Sequence, residues 1–166
     1  PRVPETSDTS TESALDAETQ RKVVRERYAS IAAGKSEAGS DCCSSDDSCC
    51  SPAETTAPTD ETARQLGYSK TEVKSVDGNA NLGLGCGNPH AIASLDAGES
   101  VLDLGSGAGF DCFLAAQEVG KEGRVIGVDM TPEMVEKART NASQNDAENV
   151  EFRLGEIEHL PVSNAS

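Results

Sequence analysis

Residues Val101–Cys112 read VLDLGSGAGFDC, and this stretch decides the fold. Val101-Leu102-Asp103-Leu104 has the composition of a strand interrupted by one acid. Gly105, Gly107 and Gly109 follow at alternate positions, and apolar residues then resume with helical spacing. The order is strand, glycine loop, helix. Glycine turns a chain with φ > 0 and no Cβ in the way, so such a loop brings backbone N–H groups and a helix N-terminus close to a ligand.

Gly105 and Gly107 match the first two glycines of a dinucleotide G-x-G-x-x-G loop, but the third position falls on the bulky Phe110. The spacing is G-x-G-x-G, with Asp103 on the strand before it. Downstream, Phe113, Leu114, Ala115, Ala116 and Val119 form a helix face that ends at Gly120 to Gly123, and Arg124–Asp129 reads as a second strand. Asp129 lies about 20 residues past the last loop glycine, where a strand-end acid accepts hydrogen bonds from both ribose hydroxyls. Thr131-Pro132-Glu133 supplies an N-cap, an N1 proline and an early acid for the next helix, which leaves Asp129 free for a ligand. That helix turns Met134, Val135, Ala138 and Ala142 toward the sheet. Asn149–Leu154 alternates as a third strand, and Gly155–Pro161 follows as a turn carrying Glu156 and Ile157. Three strands separated by two helices give an α/β fold, a parallel βαβαβ half-sheet with right-handed crossovers. Ligands bind at the carboxyl ends of such strands, where Gly105, Asp129 and Glu156 all fall.

Upstream the chain changes character. Residues 1–15 are rich in Thr, Ser, Pro and Glu and read as a disordered tail. Over residues 16–34, Val24, Tyr28 and Ile31 recur at helical spacing before Gly34, which predicts an amphipathic helix that either packs on the domain surface or lies over a ligand with Tyr28 inward. Residues 35–60 form a Cys/Ser/Asp-rich flexible segment with two vicinal pairs, Cys42-Cys43 and Cys49-Cys50. Adjacent cysteines span one tetrahedral zinc site poorly, so the pairs suit a soft thiophilic ion or thiol exchange, unless they are an incidental thiol-rich loop. From 61 to 166 runs a partial ligand-binding domain. It starts with short helices at Asp60–Leu66 and from Ser69 or Thr71 to Val76, then the loop Asn81-Leu82-Gly83-Leu84-Gly85-Cys86-Gly87-Asn88-Pro89. A cysteine flanked by glycines is presented for chemistry or else buried as a loop thiol. His90 reads as a helix cap or surface residue.

Composition narrows the partners. Of 166 residues 36% are apolar and 3% aromatic, which fits one folded unit with tails. The 29 acidic residues against 14 basic give a formal charge of −15, which opposes nucleic acid and anionic membrane surfaces. The acid excess fits a high-salt cytoplasm, or an acidic disordered tail. With no apolar run near the roughly 20 residues of a membrane span, and no signal-peptide core, the reading is cytoplasmic. Six cysteines in that compartment point to metal binding, catalysis or redox chemistry rather than a disulfide framework. Oligomeric state leaves no signal in the sequence. The initial proline and the patternless close at Ser166 lead us to expect a piece of a longer chain.

Taken together, the Cys42 segment, the run Asn81–Pro89, the loop ending Gly109-Phe110-Asp111-Cys112, the strand end Gly127-Val128-Asp129-Met130-Thr131 and the turn Gly155-Glu156-Ile157-Glu158 resemble arsenite methyltransferases over roughly residues 20 to 162. These are class I S-adenosylmethionine (AdoMet)-dependent methyltransferases with a Rossmann-like fold. The resemblance implies methyl transfer from AdoMet to trivalent arsenic, supplied as arsenite or its thiol conjugates and supported by a thiol reductant. It implies that Asp103, Gly105, Gly107 and Gly109 form the cofactor loop, that Asp129 binds ribose, that Met130 flanks adenine and that Glu156 or the Ile157 backbone reads the adenine edge. Cys86 and one of Cys42 and Cys43 would ligate arsenic, and Cys112 would be structural or accessory. The family's fourth strand, with its S-N-C motif, would begin just past Val162, so the expected chain holds the first half of the sheet and little activity by itself. The alternatives are another small-molecule AdoMet methyltransferase and a non-catalytic soft-metal-binding thiol module.

Overall fold

β1 (Ser100–Leu104), β2 (Arg124–Asp129) and β3 (Val150–Leu154) form a parallel sheet in the order β1-β2-β3, as the pattern predicts. The structure, a computed structural model, describes residues 16–34, 59–76, 79–85 and 87–163. The expected tail, the vicinal cysteine pairs and Cys86 lie outside the described residues. β2 is central because its run Val125-Ile126-Gly127-Val128 is buried on both sides, the mark of an inner parallel strand. Its register pairs Asp103 with Gly127 and Gly127 with Phe152, so Gly127 leaves room for the Phe152 ring beside it.

Two longer helices connect the strands. α5 (Phe110–Val119) starts at Gly109 and ends at Gly120, and it buries all five residues of the expected face together with Cys112. α6 (Pro132–Gln144) buries Met134, Val135 and Ala138, with Ala142 packed at the edge of the core. Side-chain amides join these layers: the buried Asn141 Nδ2 donates to the Ala108 carbonyl at 3.0 Å, and the half-buried Asn149 Nδ2 donates to the Ala116 and Gly120 carbonyls that end α5. The short α2 (Thr59–Gln65), α3 (Lys70–Ser75) and α4 (His90–Ala93) lie upstream. α3 has a complete capping box, Ser69 with Glu72, and Gly67 follows α2 at φ +100°.

α1 (Ala17–Ala32) is capped by Asp16, whose carboxylate accepts from the Thr19 N–H at 2.9 Å. The expected packing face is not buried: Val24 and Tyr28 are 41% and 38% exposed, and the helix buries no residue. Tyr28 lines the cavity instead, as the second expectation has it, and the hydrogen bonds to the domain come from Arg21 and Arg25. No helix among the described residues is long and apolar enough to cross a membrane.

Candidate active site

The glycine loop is hooked onto the end of β2. The Gly105 and Ser106 N–H groups both donate to the Val128 carbonyl, at 2.8 and 3.1 Å. Gly105 and Gly107 have φ of +80° and +53°, and the space where a Cβ would stand is open at both, so a side chain there would occupy the cradle itself. Gly109 differs. At φ +95° its Cβ would stand 2.6 Å from Phe152 and 2.9 Å from Phe113, and the residue does not line the cavity. The sequence places Gly109 among the cofactor residues; the geometry gives it to helix–sheet packing.

A cavity of about 820 Å³ opens over the carboxyl ends of the strands. Asp103, Gly105, Gly107, Asp129, Met130, Glu156 and Ile157 all line it. So do Gly85 and Gly87, on either side of Cys86. Asp129 is not free, contrary to the sequence reading. Its Oδ2 accepts from the Gly107 N–H at 3.0 Å and its Oδ1 from the Thr131 N–H at 2.8 Å. The carboxylate thereby ties the loop to β2, and it retains further lone pairs where it lines the cavity. Glu156 is also engaged: Oε1 accepts from Arg25 Nη2 at 2.9 Å.

Behind the loop lies a network the sequence did not reveal. Tyr68, 5% exposed, places its hydroxyl 2.6 Å from Asp111 Oδ1 and 3.0 Å from the Gly87 carbonyl, and its ring meets Phe110 edge-on. The His90 side chain is buried rather than at the surface, with Nε2 3.0 Å from the Asp111 carbonyl and Nδ1 3.6 Å from Glu118 Oε2. The only hints were an aromatic directly after a helix-ending glycine and an acid two residues past the last loop glycine. Together these contacts fasten the Cys86 loop to the first turn of α5.

Burial raises the Asp103 and Asp111 carboxyls above their ordinary values, and the neighbouring Cys112 thiol and Tyr68 hydroxyl offset this in part. The folded state therefore holds these protons to higher pH than the unfolded chain, and stability declines as pH rises from about 4 through the raised values. Glu151 acts in the other direction. Arg153 and Arg124 hold it down to about 2, so its contribution is complete above the ordinary carboxylate value and disappears only as pH falls toward 2. Asp103→Asn keeps an acceptor for the Cys112 thiol and removes the buried charge. The expected result is a flatter urea midpoint between pH 4 and 7 than wild type; an equally steep decline would refute the assignment.

Cys112 is fully buried, and its Sγ donates to Asp103 Oδ2 at 3.1 Å. Burial, with Asp103 beside it, pushes the thiol well above its usual range. Mass spectrometry after labelling of native protein with a thiol reagent is expected to find Cys112 unmodified, and modified once the protein is denatured. Labelling at the rate of a free thiol would contradict this environment.

Among the described residues five carboxylates line the cavity, Asp103, Asp111, Asp129, Glu156 and Glu158, against one cation, Arg21, which is paired with Glu158. That balance suits a cationic ligand and opposes the pyrophosphate of a dinucleotide. The methyltransferase domain family matches residues 95–166, the segment that holds the sheet, the glycine loop and Asp129. The fold is Rossmann-like, and AdoMet, cationic at its sulfonium, is the cofactor that the open glycines, the strand-end Asp129 and the acidic walls fit.

Over 158 residues, 91% of its length, the chain is 61% identical to the arsenite methyltransferase of Halobacterium salinarum. It is 50% identical over 80 residues to the arsenite methyltransferase of Aquipseudomonas alcaligenes, a match that covers 46% of this chain. The chain spans 38% and 22% of the lengths of these two curated relatives. Among solved structures, an arsenic(III) S-adenosylmethionine methyltransferase from Chlamydomonas reinhardtii aligns at 40% identity and a TM-score of 0.41, covering 58% of this chain and 32% of that one.

Proposed function

We propose that the chain carries the donor side of an arsenite methyltransferase, in which the methyl group of AdoMet passes to trivalent arsenic held by cysteine thiolates. The observation that carries this reading is that the residues flanking Cys86 line the same cavity as Gly105, Gly107 and Asp129, so a thiol loop and a cofactor cradle open onto one space. The high identity to the Halobacterium arsenite methyltransferase supports it. AdoMet, when bound, supplies an electrophilic sulfonium methyl. The chain's part is placement: Gly105 and Gly107 admit the ligand close to the backbone, Asp129 holds the ribose, and the carboxylate walls offset its charge. As(III) is soft, and the thiolates of Cys86 and of Cys42 or Cys43 are the softest ligands available to hold it within reach.

Incubating the full-length protein that carries this segment with AdoMet, arsenite and glutathione is expected to give methylated arsenicals, detected by chromatography with mass spectrometry, and Cys86→Ser is expected to abolish them. Methylation of another small molecule with arsenite untouched would overturn the acceptor assignment. Arsenite binding with no AdoMet affinity would identify a soft-metal-binding thiol module instead.

A further inference from the structure

α1 buries no residue, yet it is tied to the far end of the sheet. Arg21 Nη1 donates to Glu158 Oε1 at 3.1 Å and Arg25 Nη2 to Glu156 Oε1 at 2.9 Å; both acceptors belong to the turn after β3. Arg21 and Arg25 are four residues apart and Tyr28 three further on, so the three share one stripe of the helix. Arg21 and Tyr28 line the cavity, as do Glu156, Ile157 and Glu158. Val23 and Val24 remain exposed, which leaves contact with α6 and the two ion pairs to set where the helix lies.

We infer that α1 forms one wall of the cofactor site and that Arg25 is a positioning residue for Glu156. The inference rests on the AdoMet reading above. Asp129 closes β2 and takes the ribose, so the base extends toward the neighbouring strand end, where Glu156 stands. Arg25 fixes one carboxylate oxygen, and among the described residues the Glu156 side chain has no other hydrogen bond. Its second oxygen is left to accept from the exocyclic amino group of adenine. The same carboxylate thus clasps the helix and reads the base, and by linkage each event favours the other. Both ion pairs are half exposed, so salt weakens the clasp.

The test uses the 166-residue chain, S-adenosylhomocysteine (AdoHcy) as ligand, stopped-flow dissociation and amide exchange of α1. In wild type, AdoHcy is expected to slow exchange in α1, and its dissociation to quicken as KCl is raised from 0.1 to 2 M. Arg25→Ala is expected to speed dissociation about three- to tenfold and to reduce both the salt dependence and the exchange protection, the Arg21–Glu158 pair remaining, with Arg25→Lys restoring most of the loss. The charge exchange Arg25→Glu with Glu156→Arg re-forms the clasp without an acceptor for the base, so α1 is protected in the absence of ligand while AdoHcy affinity stays low. Wild-type kinetics in Arg25→Ala, unchanged α1 exchange on AdoHcy binding, or full affinity in the exchanged pair would each overturn the inference while leaving the AdoMet reading intact. A wild-type chain that does not bind AdoHcy sinks that reading and the inference with it.

Discussion

Asp129→Ala is expected to weaken AdoHcy binding by at least about a hundredfold, the equivalent of two lost hydrogen bonds to a charged acceptor at about 1.5–3 kcal/mol each. The substitution also releases the Gly107 and Thr131 N–H groups, so the loop loses its tie to β2 as the ligand loses its partner. Asp129→Asn separates the two effects. Its amide retains one acceptor for the loop but turns a donor toward the other N–H, and it should bind better than alanine while remaining well below wild type. Calorimetric titration measures the affinity and thermal unfolding checks that the fold survives. A folded Asp129→Ala protein within threefold of wild type would remove Asp129 from the cofactor site.

The largest stability effect is expected at Gly109. A side chain there meets two penalties, a left-handed backbone and two aromatic rings already packed edge-to-face with centroids 5.7 Å apart. Strain of about 1–3 kcal/mol and overpacking of about 1–3 kcal/mol give roughly 2–6 kcal/mol for Gly109→Val, a large part of the stability of a small domain. Gly105→Ala is the control, since φ is similar but its Cβ would meet nothing within 4 Å. Urea denaturation should therefore show Gly109→Ala well below Gly105→Ala. Equal losses would mean that the Phe113 and Phe152 rings move aside and that the packing is not tight.

The contrast between these glycines shows where the sequence could and could not be read. β2 and the helices α5 and α6 were legible because each carries its own period and its own cap: Arg124–Asp129 is a strand by composition, and Gly109 and Gly120 bracket α5. The loop glycines were legible as a group and not individually, because spacing gives φ > 0 but not what stands next to each residue. Asp129 was misread as free for a related reason. Thr131 had the right type and place for a cap, yet its side chain makes no capping bond, and Asp129 instead closes a local turn onto the Thr131 N–H, which residue type alone does not reveal. Periodicity found α1 and Tyr28 but missed Arg21 and Arg25, since their partners lie some 130 positions away and are charged rather than apolar. Tyr68, Asp111 and His90 meet across 21 to 43 residues and carried no pattern at all.

That last network bears on how this protein could be re-engineered. Residues 79–85 and 87–89 contain no helix or strand, and α4 adds a single turn. The segment keeps its place through Tyr68 on the Gly87 carbonyl, Asn88 on the Gly67 carbonyl and His90 on the Asp111 carbonyl. Three polar contacts thus act as adjusting screws for a loop that carries Gly83, Gly85 and Gly87 in its own sequence. Libraries that vary Tyr68, His90 and Asp111 and leave every cysteine untouched would shift the thiol loop by fractions of an ångström relative to the cradle, a finer control over the distance between the two than substitution within the loop can give.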